Sequence, residues 1–163
     1  MQASKNLAAF IENSFLEGTL PAPGLGETEP QYTARVILPR VSTLIASRVQ
    51  NREIWIRGDG AGRRAYSRTF LGFMFHPDVA VGQKDVNYWC AEVKLTKDGF
   101  NGDVVAKALG QALLYHDAFP VVTVMMLDQT RSPNTKNRVI EFNDWLRVLV
   151  LSRFEPLAIA ENE

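Results

Sequence analysis

The sequence predicts an α/β (α+β) fold, a mixed central β-sheet flanked by helices. Three observations carry this. Short strand-like runs fill the middle of the chain: "EIWIR", "YSRTFLGFMF" and "NYWCAEVKL". A helical pattern, "NGDVVAKALGQALLYHDAF", follows the last of them. Then comes "PVVTVMML", a continuous apolar run of the kind buried on both faces of a sheet. A helix between two strands makes a crossover, which lets those strands pair in parallel.

Taken in order, residues 4–17 form a first helix. Ser4 is placed to cap it, and Leu7, Phe10, Ile11 and Phe15 make one stripe. "EGTLPAPGLGETEP" is rich in Pro and Gly and reads as a loop. A second helical pattern starts near Pro30 and includes Tyr32, Val36, Ile37, Val41, Leu44 and Ile45. Pro39 interrupts it, so a kink or two short helices are expected. "GDGAGRR" and "GQKD" are turns between strands, and "DVAV" continues the strand before it. In the helix that follows, Val104, Ala108, Gln111 and Tyr115 share one face. "RSPNTKN" is a loop, and "RVIEFNDWLRVLVLSRF" is expected to close the chain as a C-terminal helix.

The length of 163 residues suits one domain, 1–163. Hydrophobic content of 46% and charged content of 22% are those of a soluble globular protein. Formal net charge is zero, so an anionic partner must be drawn by a local patch. The lone Cys90 excludes an internal disulfide and fits a reducing compartment, while its strand context marks it as a small buried hydrophobe. No apolar run spans a bilayer and the N-terminus has no signal-peptide pattern. The expectation is an intracellular protein, cytoplasmic or nuclear, with no membrane partner.

The chemistry gathers on "WCAEVKL". Trp89, Ala91, Val93 and Leu95 alternate with Cys90, Glu92 and Lys94, so a carboxylate and an ammonium project from one face of a strand. Pro77-Asp78 lies 14 residues before Glu92, and a hairpin at "GQKD" would bring Asp78 alongside. Two neighbouring carboxylates repel unless a cation lies between them. An all-oxygen set without a His or Cys cluster suits Mg²⁺ or Mn²⁺ better than Zn²⁺. A metal lowers the pKa of bound water, and a lysine beside it holds that water and neutralises a phosphate.

These residues, "HPD" ending at Asp78 and then "EVK" at Glu92, Val93 and Lys94, resemble the PD-(D/E)XK nuclease superfamily, also called restriction-endonuclease-like. "QALLY" is similar to the Gln-x-x-x-Tyr motif of its exonuclease-type members, through Gln111 and Tyr115. The resemblance covers about residues 27–127, as a nuclease-like core between an N-terminal and a C-terminal helix. It implies a metal-dependent nuclease acting on nucleic acid, DNA before RNA, with Asp78, Glu92 and the Val93 carbonyl as metal ligands. Lys94 would orient the attacking water, and Gln111 and Tyr115 would steady Lys94 and the phosphate. Members also carry a carboxylate on an early helix. Glu29 fills that place here, with Glu27 and Glu12 as alternatives. His76 is a further candidate ligand, while His116 has no assigned role and Lys97 is an exposed charge after a strand. Arg63, Arg64 and Arg68, with Arg57 nearby, would contact the nucleic-acid backbone. A duplex cutter of this size leaves room for a homodimer.

Each motif also has a plain reading. Glu92 and Lys94 can be a solvated strand face, Asp78 a turn residue, and Glu29 a charge stabilising a helix N-terminus. A non-catalytic module binding nucleic acid or protein on the same fold is the alternative function.

Overall fold

A computed structural model of the chain describes residues 1–48, 54–58, 68–130 and 136–155. Its main sheet has six strands: β1 (Ile54–Gly58), β4 (Val79–Gln83), β5 (Val86–Thr96), β6 (Val122–Asp128), β8 (Leu146–Leu151) and β7 (Arg138–Glu141), in that spatial order. Strands β2 (Arg68–Phe70) and β3 (Phe73–Phe75) pair only with each other. The main sheet is mixed. β1, β4 and β5 are antiparallel, β5, β6 and β8 are parallel, and β7 returns antiparallel to β8.

Helix α1 (Gln2–Glu17) opens the chain, so Ser4 is not its cap but a buried residue of its first turn. Helix α2 (Glu29–Tyr32) begins with a capping box between Thr28 and Gln31. It runs through a π-helical turn, Thr33–Ile37, into α3 (Leu38–Arg48). The helical run therefore continues past Pro39. The wider π turn lies where that ring would crowd the carbonyl four residues back. Among the described residues no helix is long and apolar enough to cross a membrane.

The helices cover the two sheet faces. Ala8, Ile11, Phe15, Tyr32, Ile37 and Val41 pack on Trp89, Ala91, Val93, Met125, Leu127 and Leu149. Helix α4 (Gly102–His116) packs Ala108, Ala112 and Tyr115 on the other face, against Ala80, Cys90, Val122, Val124 and Met126. Asn101 caps α4 by accepting from the Val104 N–H at 2.9 Å. As the alternation of "WCAEVKL" predicts, Trp89, Ala91 and Val93 face one layer and Cys90 the other. β6 and β8 are buried along their whole lengths, as parallel strands covered on both faces must be.

Two expectations are corrected. The C-terminal segment is not a helix; it forms the hairpin β7–β8. Its β-branched run "LRVLVL" fits a buried strand, and the Asn143 side chain accepts from the Trp145 and Leu146 N–H groups to turn the chain. Asn143→Ala is expected to lower stability by about 1 kcal/mol in urea denaturation, through loss of those two bonds. "YSRTFLGFMF" is not one strand running on into "DVAV". Leu71 and Gly72 both adopt positive φ and fold β2 back on β3, and β4 starts anew at Val79.

Candidate active site

The site grows out of a difference in strand length. β4 starts at Val79, which pairs with Ala91, while β5 runs on to Thr96. Beyond Ala91, no strand continues the ladder on that side among the described residues. Along a strand, alternate N–H groups face opposite neighbours. The Cys90 N–H donates to the Val121 carbonyl on the β6 side. Val93 and Leu95 therefore turn their N–H groups to the vacated edge.

Two carboxylates fill that edge. Asp78 Oδ2 accepts from the Val93 N–H at 2.7 Å. Glu29 Oε1 accepts from the Leu95 N–H at 3.1 Å. A residue's N–H and C=O face the same neighbour in a ladder, so the Val93 carbonyl also points to this edge. Gly58 lets Asp78 come so close. A Cβ at Gly58 would lie 2.5 Å from the Asp78 carbonyl oxygen and 2.6 Å from Leu38 Cδ2. Gly58→Ala is accordingly expected to cost about 1–3 kcal/mol in urea denaturation, as overpacking does.

Glu92 and Lys94 stand on the face covered by α4. Lys94 Nζ donates to Glu92 Oε1 at 2.5 Å and lies 3.6 Å from Glu29 Oε2. Both are buried. Burial opposes the Lys94 ammonium, but the Glu92, Glu29 and Asp78 carboxylates outweigh it and hold its pKa above the ordinary lysine value. Burial pushes the Glu92 carboxyl up, against the pull of Lys94 and Tyr115. Lys94 is thus a permanent cation here. It can hold a water or a phosphate oxygen, and is poorly suited to removing a proton in this state.

From α4, the Tyr115 hydroxyl lies 3.1 Å from Glu92 Oε2 and 2.6 Å from the His76 carbonyl oxygen. Burial, then the Glu92 charge, raises its pKa far above the usual tyrosine range, so it stays a donor. One side chain thereby ties Glu92 to the segment that carries Asp78. Gln111, one turn earlier, bears on the Tyr115 hydroxyl, whereas Lys94 is held by Glu92 and Glu29. Gln111 Oε1 is buried without a hydrogen-bond partner, an acceptor aimed at no protein donor.

The other expected residues fall as follows. Glu29 is the early-helix acid that reaches the site. Glu27 instead binds Arg35 and the Gly24 N–H. Glu12 lies on the opposite sheet face, where it accepts from Thr123 and pairs with Arg147. His76 contributes its carbonyl. His116 stacks on Trp145, with ring centroids 3.9 Å apart. Arg63 and Arg64 lie outside the described residues, as does the Arg68 side chain. Arg57, opposite Ala80 in β4, stacks its guanidinium 4.9 Å from the Trp55 ring centroid.

Sequence reasoning passed over Asp128. It ends β6 opposite Thr96, on the face shared with Glu92 and Lys94, and is buried. Its Oδ1 accepts from the Thr130 N–H and hydroxyl, so it closes the turn after the strand. A carboxylate ending the apolar run "VVTVMML" was its signal.

Among the described residues no group of three or more His, Cys, Asp or Glu side chains stands ready to hold a metal ion. Asp78, Glu92 and the Val93 carbonyl are nonetheless an all-oxygen set, the chemistry a hard divalent cation takes with water completing its shell. The unpartnered Gln111 oxygen fits such a hydrated site.

No protein-family model and no curated protein matches the chain. A solved structure similar to it is a chain in the half-complex of Thermococcus gammatolerans McrB AAA+ hexamers with bound McrC. Identity is 10% and the TM-score 0.40, with 77% of this chain and 30% of that chain covered. This chain thus spans under a third of that one's length.

Proposed function

We propose that the chain is a metal-dependent nuclease of the restriction-endonuclease-like, PD-(D/E)XK type, hydrolysing phosphodiester bonds of DNA. The observation that carries this reading is the meeting of Asp78, Glu92 and Lys94 at one strand edge. Asp78, Glu92 and the Val93 carbonyl would hold Mg²⁺ or Mn²⁺, which would activate water and polarise the phosphoryl group. This chain's own residues supply the rest. Lys94 donates to the water or to a phosphate oxygen. Glu29 anchors to the Leu95 N–H and keeps a carboxylate beside that ammonium. Tyr115 holds Glu92 and the His76 carbonyl in fixed relation.

A second reading has its own observation. The Lys94–Glu92 pair and the two carboxylate-to-N–H bonds satisfy one another without a metal. The same residues would then stiffen a non-catalytic binding module.

The test is to incubate the purified chain with plasmid, single-stranded DNA and RNA, with Mg²⁺ or Mn²⁺ and with EDTA. Cleavage that needs the metal and vanishes in Glu92→Ala and Lys94→Ala supports the nuclease. No cleavage of any of the three substrates by the wild-type chain favours the binding module.

A further inference from the structure

The hairpin β2–β3 is an apolar projection rooted in the site. Phe70 is 53% exposed, Leu71 83%, Phe73 70% and Met74 57%. Such a run is costly on a soluble surface unless something covers it. Phe70 pairs directly with Phe73, and Arg68 with Phe75. Paired residues share a ribbon face, as do residues two apart. Phe75, Phe73 and Phe70 therefore form one aromatic row running outward. The Leu71-Gly72 turn, with positive φ at both positions, gives the tight two-residue hairpin and makes the row stiff.

Its root is anchored. Phe75 packs half-buried against the core under α4. The next residues are His76, whose carbonyl accepts from Tyr115, then Pro77 and Asp78. The segment from Arg57 to His76 holds four arginines, at 57, 63, 64 and 68, against one acid, Asp59. In a chain of zero net charge this is a local positive excess.

We propose that the β2–β3 hairpin is a base-stacking finger, and that the substrate is single-stranded or locally unpaired nucleic acid. The inference rests on the nuclease reading and narrows its substrate class. Phe70 and Phe73 stack on unpaired bases, and the arginines of the same segment hold the flanking phosphates. Bases inside a duplex present no open face to such rings, whereas an unpaired strand does. The short connection from Phe73 to Asp78 sets the stacked base beside the phosphate to be cut.

The experiment measures fluorescence anisotropy of a labelled single-stranded oligonucleotide and its duplex in EDTA, where no metal-dependent cleavage occurs. A 2-aminopurine base reports stacking. Phe70→Ser/Phe73→Ser, at exposed positions, is expected to bind the single strand about ten- to a hundred-fold more weakly and to leave 2-aminopurine unquenched. Phe70→Tyr/Phe73→Tyr should bind like wild type, and duplex affinity should change less than about threefold, because the arginines remain. Single-strand affinity within about twofold of wild type in the serine variant overturns the proposal. So does a loss confined to anionic lipid vesicles, which would assign the finger to a membrane surface. The two readings fail separately. Ring-dependent binding without metal-dependent cleavage in the wild type sinks the nuclease and keeps the finger. Cleavage lost in Glu92→Ala beside ring-independent binding sinks the finger alone.

Discussion

Glu92→Gln should reduce metal-dependent cleavage by on the order of a thousand-fold or more while the chain stays folded. The size follows from the role. A cation's stabilisation of the transition state is worth several kcal/mol, and about 1.4 kcal/mol is tenfold in rate. Glutamine keeps the shape and an oxygen to accept from Tyr115, which now lies 3.1 Å from Glu92 Oε2. It also removes a carboxylate that burial disfavours. Lys94 retains Glu29 at 3.6 Å. The melting temperature should therefore shift by only a few degrees. Lys94→Met is a less clean probe, because it strands a buried carboxylate and should cost about 3–5 kcal/mol in stability. Measurements would be rates on plasmid and single-stranded DNA, beside thermal unfolding of each variant. Wild-type rates in Glu92→Gln would sink the assignment of this site, whatever nuclease activity the chain has.

Arg147→Met should destabilise the chain by about 3–5 kcal/mol near neutral pH, a large share of the roughly 5–15 kcal/mol that holds a domain folded. The cause lies on the sheet face away from the candidate site. Trp89 Nε1 donates to Thr123 Oγ1, and that hydroxyl donates to Glu12 Oε1, both at 2.8 Å. Arg147 Nη1 lies 3.4 Å from Glu12 Oε2, and its Nε lies 3.3 Å from the exposed Glu141. Without Arg147, Glu12 is a buried carboxylate with only a hydroxyl to satisfy it.

The pH dependence has a definite sign. Burial raises the Glu12 pKa in the folded chain, against Thr123 and Arg147, which lower it. A carboxyl with a raised folded pKa contributes fully below its unfolded value, about 4.3, and loses that contribution as pH rises through the folded pKa. Removing Arg147 raises the folded pKa further. The loss in Arg147→Met should thus be small near pH 4 and grow towards pH 7. Glu12→Gln/Arg147→Met should recover part of it. Urea denaturation at the two pH values checks this, and an equal loss at both would show that Arg147 acts through packing alone.

Much of the arrangement was legible because it is local. The alternation of "WCAEVKL" assigns Trp89 and Glu92 to opposite faces whatever packs on them, since a strand's period is two. "GQKD" marks the turn that returns β5 along β4 and carries Asp78 back to Val93. The 4, 3, 4 spacing in α4 puts Gln111 and Tyr115 on one side of a helix. The final hairpin was misread for a reason of the same kind. "RVIEFNDWLRVLVL" carries enough apolar residues to fit either period, and only pairing with β6 decides for strands.

What the sequence determined by itself is therefore the face, the turn and the crossover: properties of neighbours along the chain. What only the tertiary structure decided is which distant groups meet. Glu29, Glu27 and Glu12 are equivalent acids in the sequence. Glu29 alone of the three reaches the edge that β4 leaves open, while Glu12 is taken by Arg147, 135 residues away. The charge state of Lys94 is likewise tertiary, because it is the sum of burial and of three carboxylates brought from separate elements. Spacing reports direction along one element. It carries no record of how far a second element stops short, and that missing stretch of β4 is what makes the site.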